Sequence, residues 1–180
     1  MYSRHRSLRP RPSRHEVLTH ERVLEAVMER GPVLPLRFGT QLASEQELEA
    51  ALRERRDELL RALERVRGRV ELGLRVLAGR GERTRGSGRD YLLGRLAEQR
   101  RAETVARDLH APLADLALAS RLGERLSPPA ILVGSYLVEE GAVERFRSRG
   151  RDLAARHPDL SVVVTGPWPP YSFTGEEEPE

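Results

Sequence analysis

Five histidines, His5, His15, His20, His110 and His157, are the side chains of this 180-residue chain best suited to proton transfer or metal binding near neutral pH. They are scattered, and no second histidine shares the face of His20 at metal-binding spacing. The chain has no cysteine, which removes disulfides, thiolate metal sites and thiol nucleophiles. It contains no Gly-x-Ser-x-Gly elbow, no His-Glu-x-x-His, no dinucleotide fingerprint and no phosphate loop. The glycine-rich stretch 79–90 lacks both the lysine and the strand-then-helix setting that a phosphate cradle needs. Most carboxylates fall among arginines, a pattern expected of solvated helical faces. These residues predict no enzyme, and no metal, cofactor or small-molecule ligand is expected.

The most distinctive stretch is instead Gly166-Pro167-Trp168-Pro169-Pro170-Tyr171-Ser172-Phe173, which holds the only tryptophan. Its three prolines fix φ and cannot donate backbone hydrogen bonds, so neither a helix nor a central strand is expected there. The run should be a stiff extended segment laying three rings against the protein. As a brace, it would make Trp168→Ala cost roughly 3–5 kcal/mol. The candidate structural or interface motif is Trp168, Pro169, Pro170, Tyr171 and Phe173, together with Arg37 and Phe38 earlier in the chain.

All 31 basic residues are arginine, and 28 acids bring the net charge to only +3. Interleaved charges of this kind make an ion-paired surface rather than a phosphate track. No run of about 18 apolar residues occurs, and no apolar core follows the basic start. A cytoplasmic location is expected.

The elements follow from periodicity. Residues 1–14 have little to bury and predict a basic disordered arm. Val17, His20, Leu24 and Val27 then share one helical face over His15 to Arg30, which Gly31-Pro32 stops. His20 on that face reads as a core or interface histidine. Leu34, Leu36 and Phe38 alternate as in a strand. Ser44 and Glu47 match a capping box that opens a helix to about Val66, with Arg55 and Arg56 interrupting its apolar stripe. Val70, Leu72, Leu74 and Val76 predict a half-buried strand whose other side carries Glu71, Gly73 and Arg75. A helical insertion is expected over 91–123, kinked or split at Pro112. An apolar central strand over 130–138 follows. The helix expected near 141–156 carries Val143, Phe146, Gly150 and Leu153, and a last strand spans 160–165. Residues 174–180 predict an acidic tail.

The fold class expected is α+β: a ferredoxin-like sheet of two β-α-β halves, a long helical insertion between them, and an extra N-terminal helix. Residues 15–173 would form a single domain. Pro35 fits poorly in a central strand, which leaves the strand order open. A ferredoxin-like sheet also underlies RNA-binding modules, which stack bases on strand-face aromatics; Tyr136 is the lone candidate here.

Several of these stretches together resemble the gas vesicle protein F/L family. The likeness runs in order through His20-Glu-Arg-Val-Leu24, Val33-Leu-Pro-Leu-Arg-Phe-Gly-Thr40, Val70-Glu71, Gly88-Arg-Asp-Tyr-Leu92, Tyr136-Leu137-Val138 and Gly166 to Phe173. The resemblance implies a non-catalytic accessory protein of gas vesicle assembly. It would contact the small hydrophobic shell subunit and other accessory proteins, possess no catalytic or metal residues, and reside in the cytoplasm and on the vesicle. It also implies an additional α+β domain before the His20 helix, where this chain has only the basic arm. Apolar surface is therefore expected on the His15–Arg30 helix.

Overall fold

The computed structural model describes residues 13–78, 100, 104–123 and 130–175. Residues 1–12 of the expected arm, the glycine stretch, the Gly88–Leu92 motif, the expected insertion's first residues and residues 176–180 of the expected tail lie outside these. The chain divides into two compact units, Met1–Gly68 with Pro169–Glu180, and Arg69–Trp168.

In the first unit, helix α1 spans Arg14–Met28 and begins one residue earlier than its apolar periodicity suggests. Ser13 caps it: its Oγ accepts the Glu16 N–H at 3.2 Å, and the Glu16 carboxylate accepts the Ser13 N–H at 3.0 Å. Leu24 is buried, whereas Leu18 faces outward.

The expected strand over 33–38 is absent. Alternation supplied a face, but no neighbouring strand pairs with this segment among the described residues. Pro35, which has no N–H to offer a ladder, is its buried residue, while Leu36 and Phe38 are exposed. The segment ends in a turn, where the Arg37 carbonyl accepts both the N–H and the hydroxyl of Thr40.

The helix expected from Ser44 to Val66 is two helices, α2 (Glu45–Glu54) and α3 (Arg56–Val66). They part at Arg55, whose φ of −101° and ψ of 15° leave the helical region where the apolar stripe was interrupted. Half of the Ser44 box forms, with Ser44 Oγ accepting the Glu47 N–H; the Glu47 carboxylate reaches Ala43 N–H instead of the cap residue. Ala62 and Val66 of α3 are buried, and α2 buries nothing completely.

The second unit is a four-stranded, wholly antiparallel sheet with helices. Its strands are β1 (Arg69–Ala78), β2 (Ala119–Leu122), β3 (Ala130–Glu139) and β4 (Leu160–Trp168), in the order β2-β3-β1-β4. The mixed helix-and-sheet class is as expected, but its strand membership differs. Residues 119–122, inside the expected helical insertion, take the place given to 33–38 as a strand. Leu113, Leu116, Ala117 and Leu122 read as one helical stripe, yet only Leu113 lies in a helix.

Before β2 the chain forms a π turn over Ala106–His110 and the short helix α4 (Ala111–Ala114). Pro112 lies at the start of α4, where its missing N–H is tolerated, and the wider π turn precedes it. Helix α5 (Val143–Arg156) buries Phe146, Gly150 and Leu153, as their spacing predicts. Phe146 and Leu153 meet Leu72, Leu74, Val76, Tyr136 and Val138 in one core, joined by Leu109 and Leu113. Gly150 lets α5 approach β4, because a Cβ there would lie 2.9 Å from Val164 Cγ2.

Candidate functional site

The candidate motif residues occupy two settings. Trp168 ends β4 in the sheet unit, and the other six belong to the helical unit.

The closing run is not uniformly extended. Residues 166–168 continue β4, on a sheet edge where proline can be accommodated, and Tyr171–Phe173 form a 3₁₀ turn. The pairing with β1 shifts between Glu71 and Gly73, so β4 carries an extra residue there. Gly166 permits this irregularity: its φ is 100°, and a Cβ would lie 2.7 Å from the Glu71 carbonyl oxygen. The Gly166 carbonyl accepts a 2.6 Å bond from Arg147, which also pairs with Glu144 at 2.8 Å.

Pro169, Pro170 and Phe173 are buried, Phe173 to 7% exposure, and Tyr171 is half-buried. The turn is tied locally by Tyr171 N–H to the Pro169 carbonyl and Phe173 N–H to the Pro170 carbonyl. Arg65 of α3 donates to the Gly175 carbonyl at 2.9 Å, fastening the described end of the chain to that helix. Trp168 differs from the two prolines that follow it, at 39% exposure. Burial in the closing run thus falls on Pro169, Pro170 and Phe173, and the large penalty expected for Trp168→Ala requires a burial that Trp168 does not have.

On the 33–40 segment, Arg37 and Phe38 are exposed. The Phe38 ring sits edge-on to His20 at 5.5 Å between centroids. His20 is half-buried, and its Nε2 is buried without a hydrogen-bond partner among the described residues. It is thus packed as expected, but not fully satisfied. Leu36 and Leu42 flank Phe38 and are exposed, so one short segment presents three large apolar side chains. Leu18, Leu52 and Leu60 are exposed on α1, α2 and α3. Alternation placed Leu34, Leu36 and Phe38 on one side of a strand; nothing in the spacing distinguished burial from display.

Sequence reasoning missed the His110–Tyr136 pair. The Tyr136 hydroxyl lies 2.8 Å from His110 Nδ1, and its ring packs against Phe146 at 5.1 Å. Burial lowers the His110 pKa and raises that of Tyr136. Tyr136 is fully buried, so it presents no surface for base stacking. Its Tyr-Leu-Val context signalled a core strand; the partner 26 residues away left no local signal.

Among the described residues, no group of three or more His, Asp or Glu side chains could hold a metal ion, and no helix is long and apolar enough to cross a membrane. The arrangement suits contact: a segment between α1 and α2 that displays apolar side chains, and an exposed tryptophan closing a sheet edge.

Comparison with known proteins gives consistent results. The family model described as gas vesicle synthesis protein GvpL/GvpF matches residues 1–175. Gas vesicle protein F2 of Halobacterium salinarum is 33% identical over 160 residues, covering 87% of this chain and 67% of that protein. Gas vesicle protein L of a Streptomyces species is 33% identical over 184 residues, covering 88% and 68%. The crystal structure of gas vesicle protein GvpF from Microcystis aeruginosa superposes with a TM-score of 0.79 at 19% identity, over 97% of this chain and 84% of the other. That of GvpF from Anabaena gives 0.77 at 18%, over 96% and 80%. At these identities the two crystal structures show a shared fold.

Proposed function

The chain belongs to the gas vesicle synthesis protein GvpL/GvpF family, which gives it a gas vesicle-related role, and on that premise we propose a non-catalytic accessory protein of vesicle assembly. In this reading it acts through protein–protein contacts with the small hydrophobic shell subunit and with other accessory proteins. Residence in the cytoplasm and as a minor component of the vesicle follows from the same reading. The observation that carries it is the exposed apolar series Leu36, Phe38 and Leu42 on one short segment. Exposed apolar surface of this kind is costly in isolation and suits an apolar partner.

A hydrophobic shell subunit needs protection from aggregation until it is incorporated. Partial burial against a contact surface supplies that without any bond-making chemistry. We read the sheet as ferredoxin-like, with β1 and β2 joined by the π turn and α4, and β3 and β4 joined by α5. Its first half then begins at Arg69 rather than Val33, and the 33–40 segment is left available as a contact element.

The test is capture of the purified small shell subunit by the full chain, together with gene deletion scored by buoyancy and electron microscopy. Binding, and vesicle loss on deletion, are expected. Normal vesicles together with no capture would overturn the proposal.

A further inference from the structure

The two edges of the sheet are unequal. β2 closes one side with four residues, whereas β4 closes the other with nine and, among the described residues, pairs only with β1. A long strand with one unpaired edge is a template for another strand unless something blocks it. Gly166 and Pro167 block the far end, where Arg147 occupies the Gly166 carbonyl. No such device covers Leu160–Thr165 among the described residues.

A groove borders this open stretch, lined by Val162 and Val164 of β4 and by Arg147, Gly150, Arg151 and Ala154 of α5. The β4 sequence carries no charge, while α5 carries five arginines against only Glu144 and Asp152. Arg147 is paired with Glu144, and Arg151 has no ion pair among the described residues. On the opposite face of β4, Val163 is exposed.

We propose that the outer edge of β4 binds an extended acidic segment of a partner protein by strand addition. Backbone pairing along Leu160–Thr165 supplies affinity, and alternation supplies specificity. Acidic side chains of the incoming strand face α5, where Arg147 and Arg151 rim the groove, and its apolar side chains lie beside Val163. A second copy of this chain is disfavoured, because its own basic α5 would be brought toward the first. The inference rests on the contact-making role proposed above and narrows it to a partner chemistry. A peptide assay can fail while shell-subunit capture succeeds, so the two failures are distinguishable.

The test uses the full chain and a fluorescein-labelled Glu-Val-Glu-Val-Glu-Val peptide in fluorescence anisotropy, with Trp168 emission as a second readout. Binding is expected to weaken at least tenfold with Arg151→Glu, with a Lys-Val peptide, and with a copy N-methylated at every backbone nitrogen. Arg151 is exposed, so its variant should fold, which far-UV circular dichroism checks. Equal binding of the Glu-Val and Lys-Val peptides, or undiminished binding of the methylated copy, would overturn the proposal. So would displacement of the peptide by single-stranded RNA, or a dimer in size-exclusion chromatography that Arg151→Glu leaves intact.

Discussion

Val70, Leu72, Leu74 and Val76 of β1 are at most 4% exposed, while Leu36, Phe38 and Leu42 of the helical unit are 60%, 37% and 42% exposed. Both stretches alternate apolar residues, yet one builds a core and the other a surface. The difference is backbone pairing. β1 has a strand on each side and helices over its apolar face, so each side chain is enclosed. The 33–40 segment has no strand partner among the described residues, and only Pro35 is fully buried. Alternation alone therefore identifies a face and leaves its use open.

Phe146→Ala tests this division most severely. Its ring is fully buried against Tyr136, so about 3–5 kcal/mol should be lost in chemical denaturation. A loss below 1 kcal/mol would mean the sheet core is not what holds the unit.

The closing run divides the same way within a few residues. Phe173→Ala should cost about 3 kcal/mol and Trp168→Ala about 1–2 kcal/mol, since a partly exposed ring leaves no closed cavity. Equal costs would erase the distinction between brace and exposed ring.

Acid should act on the sheet unit through His110. Its pKa is lowered by burial, so the folded state favours the neutral ring. As pH falls through the ordinary histidine value of 6.5, the unfolded chain takes up the proton first and stability declines. Comparison of denaturation midpoints at pH 7.5 and 5.5 should show a smaller drop for His110→Gln than for the parent chain. An unchanged drop would assign the acid sensitivity elsewhere.

Much of the sheet unit was legible because its signals are local. The i, i+3, i+7, i+10 spacing of Val143, Phe146, Gly150 and Leu153 located α5, and β1 was marked by clean alternation. Other features were hidden by their neighbours. The Ser13–Glu16 capping box lies against an arginine-rich start that reads as disordered, and β2 sits within a leucine pattern that reads as helix. The π turn before Pro112 depends on hydrogen-bond spacing that composition does not encode. For the candidate site, residue identity was readable but exposure was not. Trp168 and Phe173 share one motif, and only tertiary packing separates their burial.

The smallest effect on stability should accompany the largest effect on contact. Leu36→Asp, Phe38→Asp and Leu42→Asp combined should change unfolding free energy by only about 1 kcal/mol, because each side chain is already exposed. Capture of the small shell subunit by this triple variant, measured beside the parent chain with circular dichroism confirming the fold, tests the central claim directly. The account predicts at least a tenfold weaker capture by a folded protein; undiminished capture by that folded protein would contradict it.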